Sequence, residues 1–270
     1  MIAFFPERAV AVTLFGLSIH WYGVLYVTAF LLAFWMLPRL QDSRYLALKR
    51  DDWSSLLTAG ILGVLIGGRL GYVFFYHPVA FALHPWEIFA VWKGGMSSHG
   101  GFLGVGLALL LVARRRHIPL LALLDVAVVP GAVGLALGRI GNFINLELAG
   151  TVTALPWGMT FPGLDGLRHP VQLYAVGKDL LIAGICFWHL WRTRRRKPGG
   201  TFALFLLLYS TLRFLVEFVR EPDSPLVSFG LFSLTRGQLY TLPLFALGLA
   251  LWFVWRRGRS GGASARGPSL

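Results

Sequence analysis

With 270 residues, 56% of them hydrophobic and only 14% charged, the chain is too apolar for an ordinary water-soluble domain. It has length for about six to eight spanning helices of ~20 residues each. The single cysteine, Cys186, lies in an apolar segment and excludes a disulfide framework or a cysteine-based metal site, and the net charge of +13 points away from nucleic acid because the basic residues cluster at the ends of hydrophobic segments.

Residues 1–17 place Pro6, Glu7 and Arg8 ahead of a short apolar stretch and read as interfacial. They show neither the basic start nor the small-residue cleavage site of a removable signal peptide, so the first helix is expected to stay. Seven spans are expected, over about Ile19–Leu37, Ser54–Tyr76, Ser97–Arg114, Leu120–Leu137, Val171–Trp191, Thr201–Val219 and Gly237–Trp255. Between the second and third, residues 77–93 hold two prolines and Trp86-Glu87 and read as a surface-lying arm. Residues 145–170 contain Pro156, Pro162, Gly163 and Gly166 and no long apolar run, which marks a loop-rich cap. The Gly/Ser/Ala/Arg tail over 258–270 reads as disordered, leaving 1–257 as a single polytopic membrane domain.

The basic residues set the orientation. Arg39, Arg44, Lys49 and Arg50 follow the first span, Arg114 to Arg116 the third, Arg192 and Arg194 to Lys197 the fifth, and Arg256, Arg257, Arg259 and Arg266 the seventh. These are 16 of the 25 lysines and arginines, and the other connections are poor in them. Lys and Arg in short loops favour the cytoplasmic side, so the expected fold is an all-α integral membrane protein with its amino terminus outside, its carboxyl terminus in the cytoplasm, and its cap outside.

The fourth span leads into Gly138-Arg139-Ile140-Gly141-Asn142-Phe143-Ile144-Asn145-Leu146-Glu147-Leu148-Ala149-Gly150. An arginine, two asparagines and a glutamate in such a setting each need a partner or a water-filled cavity, which makes the cluster a functional-site hypothesis. Its three glycines suggest a helix that breaks and turns backbone amides toward a ligand. In or at the edge of spans stand Arg69, Arg139, Lys178, Arg213 and Arg236, with Asp125, Glu147, Asp179 and Glu217 as counter-charges. Five cations against four anions leave room for a phosphate, which arginine grips with paired charge-assisted hydrogen bonds. Against that, Lys178-Asp179 and the i, i+4 pair Arg213-Glu217 read equally well as structural ion pairs.

Five further stretches are set apart: His20-Trp21-Tyr22-Gly23; Gly67-Gly68-Arg69-Leu70-Gly71-Tyr72; Gly94-Gly95-Met96-Ser97-Ser98-His99-Gly100-Gly101; Arg168-His169-Pro170-Val171-Gln172-Leu173-Tyr174; and Arg213 to Asp223. Histidine is readily tuned to accept a proton near neutral pH, and glycine on both sides of His99 lets a substrate approach, so His99 is the candidate base. Taken alone, Tyr22 is an ordinary residue of the aromatic belt.

The central run resembles the signature of prolipoprotein diacylglyceryl transferases, G-R-x-G-N-F-x-N-x-E-x-x-G, at all eight fixed positions, and the other stretches resemble further family motifs in family order. Three departures stand out: Ala175 where a Glu is common, Leu146 in place of a Gly, and Thr151 in place of an Arg; the cap is also short. The resemblance implies transfer of the diacylglyceryl group of phosphatidylglycerol to the lipobox cysteine thiol of a prolipoprotein in the bacterial inner membrane, without metal or cofactor. It implies catalytic roles for His99, Arg139, Tyr22, Glu147 and Arg213, and substrate binding by Arg69, Asn142, Asn145, Gly150, His169, Gln172, Glu217 and Arg220. Composition by itself fits equally well a small transporter or channel with Arg139 and Glu147 along an ion path. A non-enzymatic scaffold fits the number of in-membrane charges less well.

Overall fold

The computed structural model describes residues 9–76, 78–90, 94–222, 226–228 and 233–260, leaving aside the side chains of 75, 76, 80, 82, 98, 99 and 258–260. The chain is mostly helical. Its long helices are α1 (Trp21–Leu40), α2 (Arg50–Tyr76), α4 (Ser98–Arg115), α5 (Leu120–Ile144), α6 (Val171–Arg192), α7 (Gly200–Val216) and α8 (Arg236–Ser260), with a short α3 at Pro78–Leu83. Six segments, all but α3 and α4, are long and apolar enough to cross a membrane. The arm expected over 77–93 is α3 and a 3-10 turn at Pro85–Phe89, with residues 91–93 outside the described set.

The structure adds to or departs from expectation in four places. The amino-terminal stretch is a β-hairpin, β1 (Val10–Leu14) paired antiparallel with β2 (Leu17–His20), closed by Phe15 and Gly16 at φ 50° and 80°. Positive φ at both central residues is the two-residue turn that matches strand twist. A second two-stranded pair, β3 (Val227–Ser228) with β4 (Ser233–Leu234), means the chain is not wholly helical. Finally, α5 runs through Gly138 and Gly141 to Ile144 instead of breaking there, and α8 continues to Ser260; residues 261–270 of the expected tail lie outside the described residues.

The chain forms two compact units, Met1–Arg44 with Leu124–Leu270, and Tyr45–Leu123. In the smaller unit, α2 and α4 meet backbone to backbone along glycines. A Cβ on Gly67 would lie 2.7 Å from the Gly104 Cα, and one on Gly71 would lie 2.7 Å from the Gly100 Cα. Small residues permit such close approach where dispersion, not the hydrophobic effect, holds helices together.

In the larger unit, Val129 and Ala132 of α5 pack on Ile182, Ala183, Cys186 and Leu190 of α6, with Met36 and Leu40 of α1 and Phe205 and Tyr209 of α7 around them. Beside this core lies a closed polar network. Arg44, expected only as a topological flank, is fully buried against Asp125, with Nε 2.5 Å from Oδ2. Its remaining donors reach the carbonyls of Ser43 and Thr193 and the hydroxyls of Thr193 and Thr201, at 2.8–2.9 Å. Asp125 also accepts from the amides of Gly199 (2.9 Å) and Phe202 (2.7 Å), at the start of α7. The pair thus ties the chain after α1 to α5, the α6–α7 connection and the α7 amino terminus.

A buried pair of this kind is costly to break one partner at a time. Asp125→Ala leaves the guanidinium unmatched and is expected to cost about 3–5 kcal/mol, whereas the double change Arg44→Met with Asp125→Leu recovers most of the loss. Thermal unfolding in detergent micelles measures both; equal midpoints for Asp125→Ala and the unaltered protein would rule the network out as a stabiliser.

Candidate active site

The carboxyl end of α5 carries the polar motif. Arg139 and Asn142 are three residues apart and share a helix face, and the Arg139 Nη1 donates to the Asn142 Oδ1 at 3.3 Å. Beyond Ile144 the chain turns sharply through Leu146 and Leu148, both at φ 60°. That turn returns Glu147 to the helix end: its amide donates to the Asn142 carbonyl at 2.9 Å. Its carboxylate accepts from Asn142 Nδ2 at 2.8 Å and Asn145 Nδ2 at 3.1 Å. Gln172 of α6 donates to the Glu147 carbonyl at 2.6 Å, so the motif is held from two helices. Tyr22 of α1 packs on the same end of α5, where a Cβ on Gly141 would lie 2.6 Å from its ring.

A second group closes the carboxyl end of α7. Arg213 and Glu217 form an ion pair one turn apart. Arg220 brings its Nη1 to 3.8 Å from the same carboxylate, and the Thr235 hydroxyl donates to Glu217 Oε1 at 3.1 Å. The carboxylate is therefore the hub that fixes two guanidiniums.

These groups converge on a narrow cleft, whose walls include Arg139, Arg213, Arg220, Gln172 and, from α6, Lys178. Lys178 is ion-paired with Asp179 and sits 4.7 Å from the centroid of the Tyr209 ring. Two buried acceptors, Gln172 Oε1 and Asn145 Oδ1, have no hydrogen-bond partner among the described residues. Buried polar atoms are rarely left so, and an unfilled acceptor beside a cationic wall suits a ligand that carries both hydroxyls and a negative charge.

Of the residues singled out in the sequence, Arg139, Gln172, Arg213 and Arg220 line the cleft, and Asn142, Asn145, Glu147 and Glu217 hold or adjoin them. Gly150 and His169 belong to the cap. The Gly150 amide donates to the His169 carbonyl at 3.1 Å, so close that a Cβ on Gly150 would lie 2.5 Å from that oxygen. The His169 ring meets the Tyr174 hydroxyl at 3.2 Å, which also accepts from Trp157 at 2.8 Å. Arg168 bonds Glu221 at 2.8 Å. Asp125, weighed in the sequence as a counter-charge for the in-membrane cations, pairs with Arg44.

Arg69 and His99 lie in the smaller unit. Arg69 is buried and donates to the backbone carbonyls of Glu87 (2.5 Å), Ile88 (2.9 Å), Gly94 (2.6 Å) and Gly95 (3.1 Å). His99 is the second residue of α4, after Ser97, whose hydroxyl caps the helix by accepting from the Gly100 amide at 3.2 Å; the His99 side chain lies outside the described residues. The residue that the sequence offered as an in-span cation but that was left out of the expected site is Lys178. Its adjacency to Asp179 suggested a structural pair, and the signal available was helical spacing, since Lys178 follows Ala175 by three residues and both line the cleft.

The family model described as "Prolipoprotein diacylglyceryl transferase" matches residues 9–254. Among curated proteins, the phosphatidylglycerol–prolipoprotein diacylglyceryl transferase of Geobacter sulfurreducens is 45% identical over 249 residues, covering 91% of this chain and 94% of that protein. Proteins of the same name from Wolbachia pipientis of Culex pipiens and from Chromohalobacter salexigens are 43% and 44% identical, over 87% and 92% of this chain and 90% and 92% of their own.

The position of Glu217 has a direct test. A Cβ on Gly237, the second residue of α8, would fall 2.8 Å from the Glu217 Cδ and 3.1 Å from Arg213 Nη2. Gly237→Ala is expected to remain folded, with a small change in unfolding midpoint, because the gain in helix propensity is set against the shift forced on the Glu217 carboxylate. Displacing the hub is expected to lower turnover between ~10- and ~100-fold. Full activity in this variant would show that the carboxylate does not set the guanidinium geometry.

Proposed function

This chain belongs to the prolipoprotein diacylglyceryl transferase family, and from that premise we propose how it acts: it transfers the diacylglyceryl group of phosphatidylglycerol to a prolipoprotein and releases glycerol phosphate. The acceptor is the thiol of the lipobox cysteine, and the product is a thioether. The observation that carries this reading is the cleft itself, with Arg139, Lys178, Arg213 and Arg220 around one space and the unfilled acceptor of Gln172 on its wall.

The chemistry asks for three things. A thiol with pKa ≈ 8.5 needs a base or a positive field to become the thiolate nucleophile. The leaving phosphate needs fixed positive charge that does not have to reorganise during the reaction. The acyl chains need an apolar way in from the lipid. We assign the phosphate to Arg139 and Arg213, with Arg220 beside them and Glu217 fixing both Arg213 and Arg220. Asn142 and Glu147 orient Arg139, Tyr22 adds a hydroxyl near the site, and Gln172 Oε1 and Asn145 Oδ1 accept from the glycerol hydroxyls of the head group. His99 is the base; the family resemblance supports that role. Arg69, with four carbonyls on its guanidinium, is assigned to holding the segment ahead of α4, and Gly150 and His169 to shaping the cap for the protein substrate.

The protein is a multi-pass membrane protein. With α4 as a seventh span, the run of basic clusters supports an amino terminus outside, a carboxyl terminus in the cytoplasm, and a site that opens to the outer face of the bacterial inner membrane. A transport path is not favoured, since the relatives are named as transferases.

Arg139→Ala is expected to lower transfer by ~100-fold or more, the loss typical of removing one preorganised donor from a developing oxyanion. The assay incubates purified protein with phosphatidylglycerol and a lipobox peptide and reads the peptide mass. Wild-type transfer by a well-folded Arg139→Ala enzyme would sink the assignment of the cleft to the phosphate.

A further inference from the structure

We propose that Lys178 is a catalytic residue, whose ammonium meets the second negative charge that appears on the phosphate as the lipid's carbon–oxygen bond breaks. The inference rests on the phosphate reading of the cleft. In the transfer, the cysteine sulfur forms a bond to the terminal glyceryl carbon of the diacylglyceryl group. The bond from that carbon to the phosphate oxygen breaks, its electron pair stays on the oxygen, and the thiol proton goes to the base. The phosphodiester enters with one negative charge. It leaves as a phosphomonoester with ≈ −1.5 to −2 at pH 7. Only an interaction that strengthens as that charge develops accelerates the step.

The guanidiniums have partners set by the ground state: Arg139 on Asn142, and Arg213 and Arg220 on Glu217. Lys178 is a different kind of group. Its ammonium has three donors on a flexible stem. One bonds Asp179, and the ammonium rests over the Tyr209 ring at 4.7 Å, in a side chain 6% exposed. Ala175, one turn earlier and also on the cleft wall, is small enough to leave the ammonium room to approach a ligand. Arg139 and Arg213 both lie within electrostatic reach of Lys178.

The pair makes little sense as a stabiliser. Neighbouring residues on a helix do not face each other, so Lys178 and Asp179 gain none of the easy geometry that Arg213 and Glu217 have. A buried ion pair is in general no more stable than apolar side chains of the same size. A pair retained at the wall of a cleft, where two leucine-like residues would serve the fold as well, points to use of the charge.

Two measurements test this on the full-length protein. The double variant Lys178→Met with Asp179→Leu replaces the pair by apolar groups and is expected to keep its unfolding midpoint. One charged hydrogen bond lost in the transition state corresponds to ~10- to ~100-fold in kcat, with the KM for phosphatidylglycerol changed by less than about threefold. Lys178→Arg is expected to restore part of the rate. Independently of turnover, inhibition by sn-glycerol 1-phosphate at pH 8 is expected to weaken by ~10-fold or more in Lys178→Met, while inhibition by the methyl diester of the same phosphate, which carries a single charge, is unchanged. Wild-type kcat in the double variant, a rise in KM alone, or equal weakening of both inhibitors would each overturn the proposal. Arg139→Ala serves as the control: if it transfers normally, the cleft is not the phosphate site and the broader reading fails, whereas an inactive Arg139→Ala beside a fully active double variant removes Lys178 alone. Should the double variant unfold, the inhibitor comparison with Lys178→Arg decides.

Discussion

A charge taken out of water must be matched by protein or by ligand, and the larger unit meets that requirement in two opposite ways on one helix. Asp125 and Arg139 both belong to α5, fourteen residues or about 21 Å apart along its axis. At Asp125 the match is complete within the protein, since Arg44 and two α7 amides occupy the carboxylate and four oxygens take the other donors of Arg44. At Arg139 the guanidinium donates to the neutral Asn142 amide, and acceptors on Asn145 and Gln172 stand open. The closed cluster fixes where the helices lie. The open one requires something from outside, and the helix carries the rigidity of the first to the second.

That contrast fits a cationic cleft whose guanidiniums come from the ends of helices, with Lys178 reaching it from within α6. The motif sits where α5 stops and α7 tightens into a 3-10 turn at Glu217, so side chains from separate elements converge without interrupting the core formed by Val129, Ala132, Ile182 and Cys186. The main-chain links Thr151 to Val219 and Gly150 to His169 join the segments that follow α5 and α7 to the one that precedes α6. Three helix ends are thereby fixed relative to one another by backbone hydrogen bonds, which is the kind of support that holds catalytic groups within fractions of an ångström.

Much of this was legible in the sequence, and the failures have physical reasons. Length and hydropathy located six helices long and apolar enough to cross a membrane, because about 20 apolar residues leave little alternative, although α5 runs past its expected end at Leu137 to Ile144. The i, i+4 spacing of Arg213 and Glu217 announced their ion pair. Arg44 was misread because position relative to a span is a one-dimensional signal: a basic residue just past a helix marks topology whether it faces the cytoplasm or turns inward to a carboxylate 81 residues away. Lys178, weighed as an in-span cation, was left out of the site because a charged neighbour in sequence looks like a satisfied partner, whereas the fold places it on the cleft wall. The hairpin at Val10–His20 was missed because its apolar residues were counted toward a membrane surface, when the Phe15-Gly16 pair was the turn signal.

The departure at Leu146 is instructive in the same way. Glycines in the motif suggested a broken helix, yet α5 continues through Gly138 and Gly141, and the left-handed residues are Leu146 and Leu148. A non-glycine residue in that region costs about 1–2 kcal/mol. The cost is concentrated in the two residues flanking Glu147, and what it produces is the return of that carboxylate to Asn142 and Asn145 and of its carbonyl to Gln172. Strain of this kind persists only where surrounding contacts over-determine the backbone. Here those contacts are the motif's own hydrogen bonds, so the residues that shape this end of α5 are also the ones that keep it from relaxing.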